Sequence, residues 1–181
     1  MAQFTGWQHL YNELAEKVKD NITEIEWLDL WHNQIGFLVE EHPFPTPAVF
    51  FSFRMLSAEN LAGLVQEANM QIDMYYYFET FLDTNYEAFN KESALSFLEV
   101  TTKLHQLFHG TTGDNYSEMT RIGFAPVDTG SAGNLYKVSF NCKIIDETAS
   151  KNYVSVVPGD LTITPGSDPN ITEINNDFII S

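Results

Sequence analysis

Five segments between residues 43 and 148 decide the fold of this chain. They are PFPTPAVFFSF (43–53), QIDMYYYFET (71–80), ESALSFLEVTTKLHQLFHG (92–110), TRIGFAPVD (120–128) and LYKVSFNCKIIDET (135–148). The first two and the last two are short and rich in β-branched and aromatic residues, which is typical of strands. The third has apolar residues three and four positions apart, which is typical of a helix. This order predicts an α+β fold, in which one long helix packs on a mostly antiparallel sheet.

A separate amphipathic helix is predicted before this block, over residues 7–26. Its apolar residues recur every three or four positions and so share one helical face; they are Trp7, Leu10, Tyr11, Leu14, Val18, Ile22 and Ile25. Thr5 is a candidate cap for the first turn. The next stretch, residues 27–41, fits either a short helix or a strand. Pro43, Pro45 and Pro47 then exclude a helix, because each ring removes a backbone donor.

The strand over residues 71–78 has two different faces. Ile72, Met74, Tyr76 and Phe78 lie on one face, and Gln71, Asp73, Tyr75 and Tyr77 lie on the other. The second face mixes aromatic and polar side chains. It fits a surface that contacts another subunit, and it also fits a cross-strand aromatic pair on a solvated sheet. We take Asp73, Tyr75 and Tyr77 as the candidate subunit interface.

The composition changes near residue 148, which predicts two regions. Residues 1–147 form the α+β domain, and residues 148–181 form an extended C-terminal arm with three short apolar segments between polar residues and prolines. These segments are too short to build a core, so we expect them to dock as added strands on the edge of a sheet. The candidate arm contacts are Tyr153, Val154, Val156, Leu161, Ile163, Phe178 and Ile179.

The chain is strongly acidic, with 25 acidic and 9 basic residues and a formal charge of −16. Such a surface repels phosphate and anionic lipid, so we expect no direct nucleic-acid binding and no membrane binding. The N-terminal residues lack the pattern of a secretory signal, and no apolar run approaches the roughly 20 residues that span a bilayer. We therefore expect a cytoplasmic protein. The single cysteine, Cys142, excludes an intramolecular disulfide.

The chain shows no motif that predicts catalysis. His105 and His109 have the spacing of a metal-binding pair on a helix, but the glutamate of an HExxH motif is missing. Ordinary surface histidines explain them better. Cys142 lies on the apolar side of an alternating strand, which favours a core position over a thiol nucleophile. We expect no enzyme activity, no metal and no cofactor.

The order and content of these segments resemble the tail terminator and tail-completion proteins of long-tailed bacteriophages. The matching pieces are the leading helix, PAVFFSF (47–53), IDMYYYFET (72–80), ALSFLEVTTKLHQLFHG (94–110), TRIGFAPVD (120–128) and LYKVSFNCKIID (135–146). The resemblance covers about residues 7–148. It is a pattern of elements and short fragments, not a catalytic signature.

The resemblance implies a structural virion protein that forms a ring, usually a hexamer, which caps the tail tube and joins it to the head. The implied partners are further copies of itself, the tail tube protein and a head-completion or connector protein. The implied location is the host cytoplasm during assembly and then the tail–head junction of the virion. Two alternatives stay open: a head-completion or stopper protein, and a non-viral α+β domain that binds a small molecule.

Overall fold

The computed structural model describes residues 2–37, 44–79, 82–128 and 134–150. The helices and strands, in chain order, are β1 (Gln3–Phe4), α1 (Trp7–Asn21), β2 (Trp27–Leu30), β3 (Ala48–Asn60), β4 (Gln66–Phe78), α2 (Lys91–Leu95), α3 (Phe97–Phe108), β5 (Thr120–Val127) and β6 (Asn134–Asp146). Two short 3₁₀ turns, Gln34–Phe37 and Ala62–Leu64, precede β3 and β4.

All six strands belong to one mixed sheet in which β2, β3, β4 and β6 are neighbours in that order. β6 pairs with β4 along one side, and its other side pairs first with β5 and then with β1. The pairs β3–β4, β4–β6 and β5–β6 are antiparallel, whereas β2–β3 and β1–β6 are parallel. The long strands β3, β4 and β6 therefore form the centre of the sheet.

The predicted fold class is wrong in its sheet and in its helices. The sheet is mixed because the short strands β1 and β2 add parallel pairs at its margins. The single long helix expected over residues 92–109 is divided at Ser96 into α2 and α3. The Ser96 hydroxyl donates a hydrogen bond to the Ser93 carbonyl at 2.8 Å, and such local bonding competes with regular helix geometry. Two helices, α1 and α3, pack on the sheet.

The main core lies between these two helices and one face of the sheet, which we call the helix face. Its central residues are Leu10, Leu14 and Val18 of α1, Leu104 and Phe108 of α3, Ile72, Met74 and Tyr76 of β4, and Val138, Phe140, Cys142 and Ile144 of β6. The alternation predicted for β4 is thus confirmed on this side. Burying this apolar surface is the dominant favourable contribution to folding.

A loop between α3 and β5 is fastened to α1 by a carboxylate. Glu13 accepts hydrogen bonds from the backbone N–H groups of Asp114 (2.6 Å) and Asn115 (3.0 Å). The Asn115 side chain in turn accepts bonds from the backbone N–H and the hydroxyl of Thr5. Thr5 is therefore not the helix cap that the sequence predicted, because Gly6 occupies the cap position without a side-chain bond.

A lysine extends this connection between the loop and α1. The Lys17 ammonium donates to Thr111 Oγ1 at 2.8 Å and to the Tyr116 hydroxyl at 3.0 Å. It also lies 5.1 Å from the centre of the Phe108 ring. Burial lowers the pKa of Lys17, and burial raises the pKa of Tyr116 to about 12. The loop over residues 110–118 is therefore a fixed part of the domain.

We predict that Cys142 does not react with thiol reagents in the native protein. It is 3% exposed on the helix face of β6, and burial raises the pKa of its thiol to about 12. The reactive thiolate is therefore scarce and inaccessible at pH 8. Labelling with a chromogenic disulfide should require denaturant, whereas an added cysteine at the exposed Ser57 should react at once. Native labelling of Cys142 at the rate of a free thiol would show that the register of β6 is wrong.

Candidate functional site

The predicted interface residues lie on β4, on the face of the sheet opposite the helices. Tyr77 is 2% exposed, and Asp73 is 8% exposed. The ring of Tyr75 is partly buried and stacks on Trp31, with 4.1 Å between ring centres and 9° between planes. β4 brings the three residues together as predicted, but two of them have little surface to offer a second subunit.

A small second core explains the burial of Tyr77. It consists of Ile35, Ala48, Phe50, Tyr77 and Leu135, with Trp31, Phe44, Tyr75 and Val127 packed against it. The Phe44 ring meets Tyr77 edge-on at 6.1 Å and Phe50 at 5.2 Å. These covering residues come from segments outside β4, so the alternation of β4 gives no sign of them. Contact between this face and another copy stays a prediction, now centred on Tyr75.

Asp73 belongs to a row of polar side chains that crosses three strands. Its Oδ1 accepts hydrogen bonds from the Ser139 hydroxyl at 2.5 Å and from Gln71 Nε2 at 2.8 Å. The Arg54 guanidinium donates to Gln71 Oε1 at 2.5 Å. The buried carboxylate is thus satisfied by neighbours on β4 and β6, which a buried charge requires. This row ties the strands together and presents no unpaired nucleophile or base.

The first open edge of the sheet lies along β3. β2 pairs with β3 only over Ala48–Phe51, and the last bond joins Trp31 N–H to the Phe51 carbonyl at 2.8 Å. From Ser52 to Asn60 no strand among the described residues lies on the outer side of β3. Unpaired backbone groups on such an edge can pair with another chain.

An apolar groove adjoins this open edge, and we call it the edge groove. Its volume is about 600 Å³. Its principal lining residues are Trp7, Tyr11, Leu30, Trp31, Phe51 and Phe53. Trp7 and Leu30 are each 46% exposed, and Trp7 stacks on Phe53 at 6.1 Å. Exposed apolar surface of this kind marks contact sites on proteins.

The second open edge lies along β5, on the far side of the sheet. β5 pairs with β6 over residues 135–141, and no strand in the described part of the chain lies on its outer side. Ile122 and Phe124 on this strand are 52% and 47% exposed. The Phe124 ring stacks on Tyr136 at 5.3 Å, which holds it in place. Among the residues that the structure describes, the sheet therefore has an apolar, unpaired strand edge at each side.

His105 lies in the last turn of α3, and His109 is the residue that follows the helix. Their ring centres are 4.7 Å apart, and His109 Nδ1 accepts a hydrogen bond from the backbone N–H of Arg121 at 3.1 Å. Burial lowers the pKa of His105, and the positive charges of Arg121 and His109 act in the same direction. Within the described ranges no group of three or more His, Cys, Asp or Glu residues is placed to hold a metal ion. His109 thus links the end of α3 to the start of β5.

Two further features bear on the sequence-based predictions. In the part of the chain that the structure describes, no helix is long and apolar enough to cross a membrane. The candidate arm contacts, from Tyr153 to Ile179, lie outside the described residues. Docking of the arm and the domain boundary near residue 148 therefore stay predictions.

Comparison with known proteins leaves the family open. A scan against models of protein families finds no match, and a search of curated proteins finds none either. The likeness to phage tail terminators thus rests on the sequence segments quoted above.

Proposed function

We propose that this chain is a ring-forming structural protein of a long-tailed phage, a tail terminator that caps the tail tube and joins it to the head. The observation that carries the proposal is the pair of open sheet edges, one along β3 and one along β5. Two different patches at opposite sides of a subunit make head-to-tail contacts, and such contacts close into a ring when the rotation between copies permits.

The charge and the site chemistry support the same proposal. A formal charge of −16 suits a protein at the passage through which DNA leaves the head, because like charges keep the DNA from adhering. The polar groups at the centre of the sheet bond to one another rather than to a substrate pocket. Assembly in the host cytoplasm, partners in the tail tube and head connector, and a final place in the virion belong to this proposal.

Negative-stain electron microscopy of the purified 181-residue chain tests the proposal. We expect closed rings of uniform diameter, alone or after addition of the tail tube protein, because ring closure satisfies both edges of every copy. Particles that remain single 20.6 kDa chains under both conditions would contradict it. Rings that bind head connectors but not tubes would favour the head-completion alternative.

The edge groove favours one second candidate, a domain that binds a small apolar ligand. A volume of about 600 Å³ lies within the range of ligand pockets, and its wall is mostly aromatic. Quenching of tryptophan fluorescence by an apolar probe such as anilinonaphthalene sulfonate would report on Trp7 and Trp31, which both line the groove. Saturable quenching by the probe together with a monomeric chain would favour this candidate over the ring.

A further inference from the structure

We infer that neighbouring copies in the ring join edge to edge, with β5 of one copy paired antiparallel to the uncovered part of β3, Ser52–Asn60, of the next. The inference rests on the proposed ring and specifies which surfaces build it. It replaces the aromatic face of β4 as the principal contact. Five features of the described residues carry it: strand direction, length, register, the side chains that meet, and charge.

Strand direction in the sheet makes this pairing possible. β3 is antiparallel to β4, β4 to β6, and β6 to β5, so β5 runs opposite to β3 within one copy. In a ring whose axis follows the strands, every copy keeps the same strand directions. β5 of one copy therefore meets β3 of the next in antiparallel orientation, in which the inter-strand hydrogen bonds are best aligned.

The lengths of the two edges also agree. β3 has 13 residues and β2 covers the first four, so no strand in the described ranges covers the other nine. β5 has eight residues. Pro126 has no N–H group and is tolerated in strands at an outer edge. Pairing therefore uses the part of β5 that precedes Pro126, which fits within the uncovered length of β3.

The end of β2 sets the register of the contact. Because β2 occupies the outer side of β3 up to Phe51, an incoming strand begins at Ser52. Within one copy, β5 lies at the same height in the sheet as residues Ala48–Arg54 of β3, two strands away. In the contact, β5 lies beside residues from Ser52 onward. Each copy is therefore displaced along the strand direction relative to its neighbour. A repeated shift of this kind tilts the strands, as it does in closed β-barrels.

The side chains that meet across this contact lie on the same face. Phe124 is opposite Val138 and Phe53 is opposite Ile72, and both partners belong to the main core on the helix face. When the strands pair, Phe124 of one copy thus comes to the side of the sheet that holds the edge groove of the next. There it covers the exposed ring of Trp7 and the partly buried ring of Phe53, which removes apolar surface from water on both copies.

Neither edge adds to the repulsion between copies of formal charge −16. β5 carries Arg121 and no acidic residue, and the charges of Arg54 and Glu59 cancel in the part of β3 from Ser52 to Asn60. The contact therefore joins two edges that are not acidic in a protein that is acidic as a whole.

Cysteine cross-linking of the full chain tests the contact. Ser57 on β3 and Thr120 on β5 are exposed and lie on the face opposite the helices, since their partners are Asn69 and Asn141. Antiparallel pairing that places Phe124 beside Phe53 also places Thr120 beside Ser57. The variant with both Ser57→Cys and Thr120→Cys, treated with a short bismaleimide, should give a ladder of covalent multimers in a denaturing gel. Each single variant should stay monomeric, because the contact joins two different positions. The native Cys142 is buried and adds no background.

A matched control pairs Thr120→Cys with Lys19→Cys, which places the second thiol on the exposed side of α1, and this variant should give no ladder. Rings in the microscope without a ladder from the Ser57–Thr120 variant would overturn the edge contact and leave the proposed function intact. A ladder from open filaments would keep the contact and overturn the ring. The absence of both rings and ladder would overturn both.

Discussion

The substitution Tyr77→Asp is expected to unfold the domain, at a cost of about 4 kcal/mol or more in unfolding free energy. Tyr77 is 2% exposed and packs against Phe44, Ala48 and Leu135 in the small core. An aspartate there removes the aromatic ring and places a charge among apolar side chains without a partner. Whole domains are stabilised by only about 5–15 kcal/mol, so a loss of this size is decisive.

Urea unfolding followed by tryptophan fluorescence measures this effect. The control Tyr77→Phe keeps the ring and should cost less than about 1.5 kcal/mol, the net value of one hydrogen bond at most. Tyr75→Ala should fall between the two, because Tyr75 is only partly buried but stacks on Trp31. A Tyr77→Asp protein with the unfolding midpoint of the wild type and no self-association would show instead that Tyr77 acts at a subunit interface, as the sequence alone predicts.

Gly113→Ala is expected to destabilise the protein by about 3 kcal/mol. A Cβ atom at this position would overlap Glu13 Oε1 and the ring of Tyr116. Tyr116 is fully buried, and Glu13 is bonded to the backbone N–H groups of Asp114 and Asn115. Neither Glu13 nor the Tyr116 ring can move away without breaking the contacts between the loop and α1. The substitution therefore raises the free energy of the folded state.

The matched control for this substitution is Gly123→Ala on β5. Its Cβ would meet nothing nearer than Ser139 Cβ at 3.5 Å, an ordinary van der Waals contact. We expect a change of less than about 1 kcal/mol from the change in glycine backbone freedom. Thermal unfolding of Gly113→Ala, Gly123→Ala and the wild type gives the three melting temperatures to be compared. Equal melting temperatures for all three would show that the loop over residues 110–118 does not pack on α1 as described.

The sequence predicts the parts of the fold that depend on local periodicity. The alternation of Ile72, Met74 and Tyr76 places them on the helix face, and the spacing of Leu10 and Leu14 orients α1 toward the core. These periods are properties of a single element, and each element keeps them when it packs.

The parts that the sequence does not predict depend on contacts between distant segments. β1 and β2 have two and four residues, too few for a periodic signal, yet their parallel pairing makes the sheet mixed. The burial of Tyr77 depends on Phe44, which lies 33 positions away along the chain. The same limit applies to the candidate site, because an open strand edge is defined by where a neighbouring strand ends.

Native mass spectrometry of the purified chain tests ring assembly. We expect one dominant species at an integer multiple of 20.6 kDa, which persists on dilution because every copy in a closed ring has both edges paired. Phe124→Lys, which would place a charge against the edge groove, should shift the mass to that of a single chain while the protein stays folded. A mass of 20.6 kDa for the wild-type chain at every concentration, with and without the tail tube protein, would contradict ring assembly.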